Sequence, residues 1–432
     1  MSPAGSIAEH GNPRDWPIIP FRAVLSQSKV DNCTDLPLLG VNLHQGVTRR
    51  SVDDGRPAAS EDLSAYKVVQ PGNVVMNRLG KPHGSVGVSP WAGITSPAYW
   101  VMPVNPSLGE PRFFHHLLRS RHLIAEYERL GKNQPPNQFD ISWDSFRAIE
   151  LPLPPLEEQR RIADFLDAET ARIDKMRTTV RRLKVVLHER SDAQRSLILR
   201  GAKKPGPRTL HPMLGDLPVS WRVVPLKHLV PRIGVGVVVD PSSYFTEEGV
   251  PFLRGSNITE TGIDLTGVRF MSEADSRTLW RSRLNSGDVV VIRAGYPGRA
   301  AVVPDSLDGA NCASLLVIKK GKNLLPKYLE AYFNSPLGAA YVNSVRYGAA
   351  QEQINVSHVV DFIVPVPALH EQEVIVRGLE LSENPIQALK EKLSRQEVLL
   401  EERRQALITA AVTGQFDVST ASGRNVTEGV SA

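Results

Sequence analysis

Two basic, glycine-containing loops carry the residue types best suited to hold an anionic ligand. NRLGKPHGSVGV (77–88) and IRAGYPGRAAVV (292–303) each end a β-rich run with an arginine, then add glycine, proline and a further polar or basic group. Arg78, Lys81 and His83 stand against Arg293, Tyr296 and Arg299. Glycine permits close backbone approach, and an arginine fork neutralises a phosphate or pairs with guanine in bidentate fashion. These six residues are the candidate nucleic-acid contacts. A solvated hairpin with ordinary surface charge uses the same residues, so this reading stays open beside the first.

Catalytic chemistry has no comparable footing. There is no GxxxxGK[ST] loop, and GVGVVVD (234–240) lacks the third glycine and following helix of a dinucleotide site. QPPN (134–137) approaches the Asn/Asp-Pro-Pro-aromatic loop of amino-methyltransferases, but Gln134 and Asn137 occupy its two critical positions. His115 and His116 are adjacent and point to different helix faces, which does not suit a metal pair. Cys33 and Cys312 are the only cysteines, follow no CxxC spacing and read as structural thiols in a reducing setting. Trp16 and Trp221 occupy matching places and read as core anchors rather than base-stacking residues. The expectation is no catalytic residue, no metal and no cofactor held by this chain.

The elements that must position the loops are written twice. LPLPPLEEQRRIADFLD (from 151) returns as VPVPALHEQEVIVRGLE (from 364), and LHERSDA (187–193) returns as LEERRQA (400–406), both displaced by 213 positions without a gap. Upstream the shift drifts: PGNVVMNRLG (71–80) matches SGDVVVIRAG (286–295), and DWPIIPFRAVL (15–25) matches SWRVVPLKHLV (220–230). Each half is therefore a variable globular domain followed by a helical rod of fixed length. In the first rod Ile162, Leu166, Glu169, Ile173, Met176, Val180, Leu183, Leu187 and Arg190 keep an alternating spacing of four and three; Ile375, Leu379, Ser382, Ile386, Leu389, Leu393, Gln396, Leu400 and Arg403 do so in the second. That pattern predicts a coiled-coil seam. The prolines end the preceding strand, Glu157 and Glu158 suit a first turn, and Gly414 suits a C-cap.

The fold class expected is α+β. The boundaries are a globular half at 1–150, a central helix at 151–200, an exposed linker at 201–212, a second globular half at 213–363, a distal helix at 364–416 and a polar, disordered tail at 417–432. GNVVMNR, GDVVVIR, YWVMPV and ASLLVIKK read as strands, while 111–130 and 326–342 read as helical. The 432 residues exceed one ordinary core. A net charge of +5 is mildly basic, which suits nucleic acid without requiring it. No signal peptide and no spanning helix are evident, so no membrane is expected and the location reads as cytoplasmic.

The doubled Pro-Leu-Glu-Glu-Gln stretch before a long helix resembles the specificity subunit of Type I restriction-modification systems. LGDLPVSWRVVPLKHLV and RRQALITAAVTGQFDV (403–418) add to the resemblance, which covers about the whole chain. It implies two mixed α/β target recognition domains, separated and followed by helices that pair as an antiparallel coiled coil with pseudo-two-fold symmetry. It implies double-stranded DNA as ligand, read as a bipartite target, with two modification (methyltransferase) subunits and restriction (endonuclease and translocase) subunits as partners. S-adenosylmethionine would then sit in the modification subunit, and ATP and Mg in the restriction subunit. His370 and Ala368 replace Glu157 and Pro155 in the second motif, so details of subunit docking there are less well matched. A specificity protein of another methyltransferase system, stand-alone or fused, and a coiled-coil scaffold without DNA are the alternatives.

Overall fold

The computed structural model describes residues 13–31, 36–42, 45–50, 62–78, 85–134, 138–238, 241–345 and 353–419. Lys81, His83, Cys33 and most of QPPN lie outside them, as does the tail beyond residue 419. The chain divides into two compact units, Met1–Arg181 with Ser394–Ala432, and Arg182–Leu393. Both mix helix and strand, and each takes a part of both 44-residue helices, Leu156–Leu199 and Leu369–Val412.

In the first unit the run Val74–Asn77 is the centre of a three-stranded antiparallel sheet, flanked by Val86–Val88 and Tyr99–Met102. In the second, Val289–Ile292 lies between Ala300–Val302 and Leu315–Ile318, with Ile233–Val235 at the edge. Val75 and Val290 are fully buried at these centres. The strands expected from GNVVMNR, GDVVVIR, YWVMPV and ASLLVIKK are thus present. The segments 111–130 and 326–342 are each two helices, not one: Pro111–Leu117 with Arg121–Leu130, and Pro326–Phe333 with Pro336–Val345. The break falls at matching serines. Ser120 accepts from Leu123 N, and Ser335 Oγ accepts from Gly338 N, so a hydroxyl caps a new helix where periodicity alone reads through.

The repeated Glu-Gln pair ties each long helix to its surroundings. Gln159 is fully buried, donating to the carbonyls of Leu108 (2.8 Å) and Pro154 (2.9 Å) and accepting from Glu110 N (2.9 Å). Gln372 repeats this, donating to Asn323 (3.0 Å) and Pro367 (3.0 Å) and accepting from Leu325 N (2.8 Å). The glutamate beside it is paired as well: Glu158 meets Arg14 at 3.5 Å, and Glu371 is bonded by Lys204. Burial resists charge on Glu371, but the Lys204 ammonium and the Ala368 N–H outweigh it and hold the carboxyl below its usual range.

The far ends are matched as well. Gly201 and Gly414 follow the two long helices with φ of +63° and +77°, the left-handed turn that closes a helix and favours glycine. A Cβ on Gly201 would lie 2.7 Å from the Trp221 ring, and one on Gly414 would lie 3.1 Å from Trp16. Both tryptophans are buried, as expected of core anchors. An arginine satisfies each terminus: Arg208 donates to the carbonyls of Arg200 and Gly201 (both 3.0 Å), and Arg14 Nε donates to that of Gly414 (3.2 Å).

The segment 201–212 is not a bare linker. Arg208–His211 pairs with Gly215–Pro218 in a hairpin, held to the helix end by Arg208. Asp417, within the expected tail, is paired with Arg14 at 3.0 Å.

Ion pairs run between the long helices in opposite directions of numbering. Asp174 meets Arg404 (3.5 Å), Arg177 meets Glu401 (2.5 Å) and Arg181 meets Glu397 (2.6 Å) in the first unit, and Arg195 meets Glu383 (2.7 Å) in the second. Ile162, Leu166, Ile173, Val180, Ile375, Leu379, Leu393 and Leu400 are buried; Leu187 and Ile386 are half-buried. Met176, Leu183 and Leu389 depart from the expected seam at 36%, 47% and 43% exposure. A strict 3.5-residue repeat drifts by roughly 20° per heptad on a straight helix, and a two-helix contact covers only a narrow stripe, so alternate positions reach its edge. Each fully buried leucine still contributes about 1.5–3 kcal/mol.

Candidate nucleic-acid interface

The two strand-end arginines occupy one site built twice. Arg78 Nη1 lies 3.3 Å from Asp140 Oδ1, and Arg293 Nε donates to Asn355 Oδ1 at 3.1 Å. Asp140 and Asn355 are displaced by 215 positions, as are Arg78 and Arg293. The Arg293 carbonyl also accepts from Ile354 N (2.9 Å). Each arginine therefore has a partner within its own unit, and Arg293 anchors the loop that follows it.

Beyond Arg293 the loop turns back on itself, with Gly298 N donating to Ile292 O (3.0 Å) and Ile292 N to Arg299 O (2.8 Å). Gly298 takes φ of +94°, and a Cβ there would meet Val342 at 2.8 Å, so this glycine seats the loop against the domain. Gly295, with φ of +89° and open space around it, lies towards the tip. Tyr296 is 69% exposed, and the Arg299 guanidinium stands 4.9 Å from its ring centre while pairing with Glu260 at 3.2 Å. An exposed aromatic ring with a cation on its face offers a base-stacking surface and a phosphate-neutralising charge together. Tyr296 is thus the outward group of the second loop, with the partly exposed Arg299 on its face, and Arg293 holds that loop in place.

A second basic-aromatic cluster was not legible in the sequence. Trp280 is 58% exposed, with the Arg232 and Arg281 guanidiniums 5.8 Å and 5.4 Å from its ring. Arg254 and Arg269 stand near Phe245 at 6.0 Å and 5.9 Å. Arg232 precedes the edge strand Ile233–Val235, almost fifty residues before Trp280, so only the fold joins them.

No group of three or more His, Cys, Asp or Glu suited to a metal occurs among the described residues. His116 Nε2 lies 2.8 Å from Asp167, while His115 Nδ1 accepts from Val88 N at 3.3 Å, so the adjacent pair is directed to separate partners. Burial pushes the Cys312 thiol up to about 12, far from the thiolate range needed for reactivity. No helix among the described residues is long and apolar enough to cross a membrane.

Comparison with known proteins places this duplicated architecture beside DNA specificity domains. The family model of the Type I restriction modification DNA specificity domain matches residues 84–184. The EcoBI specificity subunit of a Type I restriction enzyme from Escherichia coli is 24% identical over 283 residues, covering 62% of this chain and 58% of that protein. The EcoKI specificity subunit from Escherichia coli (strain K12) is 28% identical over 253 residues, covering 55% and 51%. The matches thus span between 51% and 58% of these relatives' own length. A chain from a solved structure concerned with complex assembly and conformational transition of the type I R-M system superposes with a TM-score of 0.68 at 22% identity, covering 94% of this chain and 100% of that one. The fold is shared with that chain, and the resemblance carried by the repeated Pro-Leu-Glu-Glu-Gln stretch is the one these relatives bear out.

Proposed function

We propose that this chain is the non-catalytic, DNA-reading specificity subunit of a Type I restriction-modification complex. The observation that carries the reading is one junction built twice: a buried glutamine, a helix-ending glycine with its tryptophan, and a strand-end arginine with its Asp140 or Asn355 partner. One domain with one long helix reads one half of a split target; duplication supplies two readers. The long helices pair as an antiparallel coiled coil with pseudo-two-fold symmetry, which the opposed order of ion pairs supports. They also dock two modification subunits, which hold S-adenosylmethionine, and restriction subunits, which use ATP and Mg, join that core. A bipartite target multiplies the selectivity of its halves, each mismatch costing roughly 1–3 kcal/mol.

Within the second unit Tyr296 and Arg299 make the outward contact, and Arg293 positions them. The test is selection of duplex DNA from a random library by the complex of this chain with its modification subunits. The parent should enrich a bipartite sequence, and Tyr296→Ala with Arg299→Ala should relax one half while the other stays defined. Enrichment of no two-part sequence would sink the reading. If the sequence is two-part but the double variant leaves both halves intact, the loop assignment alone is lost.

A further inference from the structure

A cleft of about 650 Å³ opens within the first unit, lined by Arg119, Arg121, Arg177, Arg181 and Arg404 against Asp174 and Glu401. The carboxylates are already engaged. Asp174 meets Arg404 at 3.5 Å and Arg177 at 3.7 Å, Glu401 meets Arg177 at 2.5 Å, and Glu397 takes Arg181 at 2.6 Å. Among the described residues, five guanidiniums thus face three carboxylates.

Two placements make that excess costly. Arg119 is only 7% exposed. Burial first, and then the charge of Arg404, push its guanidinium down to about 10. Arg121 opens the helix Arg121–Leu130, whose first turn holds no acidic residue. The helix dipole disfavours a cation there, so helix stability does not explain this residue.

The duplication supplies a control within the same chain. At the matching places Asn334 stands for Arg119, Pro336 for Arg121, Lys390 for Arg177, Ser394 for Arg181 and Ser191 for Arg404. Asn334 does the structural part of Arg119's work: it bonds both the N–H and the carbonyl of Ala300 (2.9 Å each), where Arg119 reaches the carbonyl of Val86. The carboxylates are replaced as well, Asp174 by Gln387, Glu401 by His188 and Glu397 by Lys184, so the second copy lacks the whole charged cluster and the shared plan does not require it.

We infer that this cleft binds a phosphate group, carried either by the DNA backbone or by a free nucleotide. Converging guanidinium forks match the oxygens of a multiply charged phosphate, whereas a single carboxylate would leave part of the excess charge unmatched. The volume falls in the range of small-ligand sites, roughly 300–1,000 Å³. The inference stands apart from half-site reading, because it concerns the first unit's cleft and not the loop of Tyr296 and Arg299.

Calorimetric titration of the full chain with tripolyphosphate tests it. Binding at one site per chain is expected, weakened at least tenfold in Arg121→Gln with Arg181→Gln and unchanged in Arg172→Gln, a control on the exposed face of the same long helix. Arg181 is 61% exposed, so Arg181→Gln alone provides a folded variant should the double one prove unstable. Circular dichroism melts confirm that the variants fold. A second arm measures affinity for duplex DNA of arbitrary sequence. Competition by tripolyphosphate, with a matching loss in the double variant, identifies the backbone as source; unchanged DNA affinity identifies a free phosphate compound. No measurable tripolyphosphate binding, or equal binding by parent and double variant, overturns the inference. An acidic protein segment as the true occupant would give that result.

Discussion

His115 has its charge state decided by the fold. Its Nδ1 accepts from the Val88 N–H at 3.3 Å, a bond that only the unprotonated ring can accept. Burial first, then the Arg119 guanidinium and the neighbouring His116 ring, hold its pKa near 3; Asp167 pulls the other way, and Arg404 adds the least. The unfolded chain titrates near 6.5. Between those two values the unfolded state takes up a proton that the native state refuses, so stability is full above about pH 6.5 and falls as pH falls towards 3. The contribution lost between pH 6.5 and pH 5 is about 2 kcal/mol. Glu330 occupies the matching place in the second unit and accepts from Val302 N at 3.0 Å, so the site needs an acceptor rather than an imidazole. His115→Gln should therefore flatten the acid limb of a denaturant-midpoint profile. A profile that keeps its slope in the variant would assign the effect to other groups.

At the scale of the element, the buried glutamines decide how a long helix leaves its domain. Gln159→Met keeps the volume and removes three hydrogen bonds, stranding Glu110 N and the carbonyls of Leu108 and Pro154. Each stranded buried group costs roughly 1–3 kcal/mol. Gln159→Met should destabilise the first unit, and Gln372→Met the second, by at least about 2 kcal/mol in urea unfolding. An unchanged midpoint in both would show that the motif is conserved within the chain for some other reason than this junction. The glutamines stood in plain view, since Glu158-Gln159 and Glu371-Gln372 repeat across a fixed shift. Their role was not legible, because the partners at Leu108 and Asn323 come from loops about fifty residues upstream. The same limit explains the candidate site. Arg78 and Arg293 were readable as equivalents, but Asp140 and Asn355, which anchor them, were not. The long helices were read to within a few residues because periodicity is local. The break at Ser120 and the exposure of Leu183 depend on what packs alongside, and no local pattern records that.

At the scale of the whole molecule, the gap-free shift between 151–193 and 364–406 sets the helical segments apart from the domains, whose matching shift drifts. Loops in the domains have absorbed insertions that the helices have not. Under the proposed function a fixed helix length fixes the spacing of two half-sites. Since Arg181 bonds Glu397, seven residues added after Arg181 and seven added after Gln396 enter the two helices at facing positions. A whole heptad keeps the seam in phase and lengthens each helix by about 10 Å, the rise of roughly three base pairs. DNA twists with each added pair, so the best spacer need not grow by three. The double insertion should stay folded and prefer the same half-sites with a longer spacer, measured by selection from a library in which only spacer length varies. A single residue added after Arg181 turns the following helix by about 100° and should abolish selection altogether. An unchanged preferred spacer in a folded, active double-insertion complex would move the ruler from these helices to the docked subunits, even though the duplicated junctions at Gln159 and Gln372 remained intact.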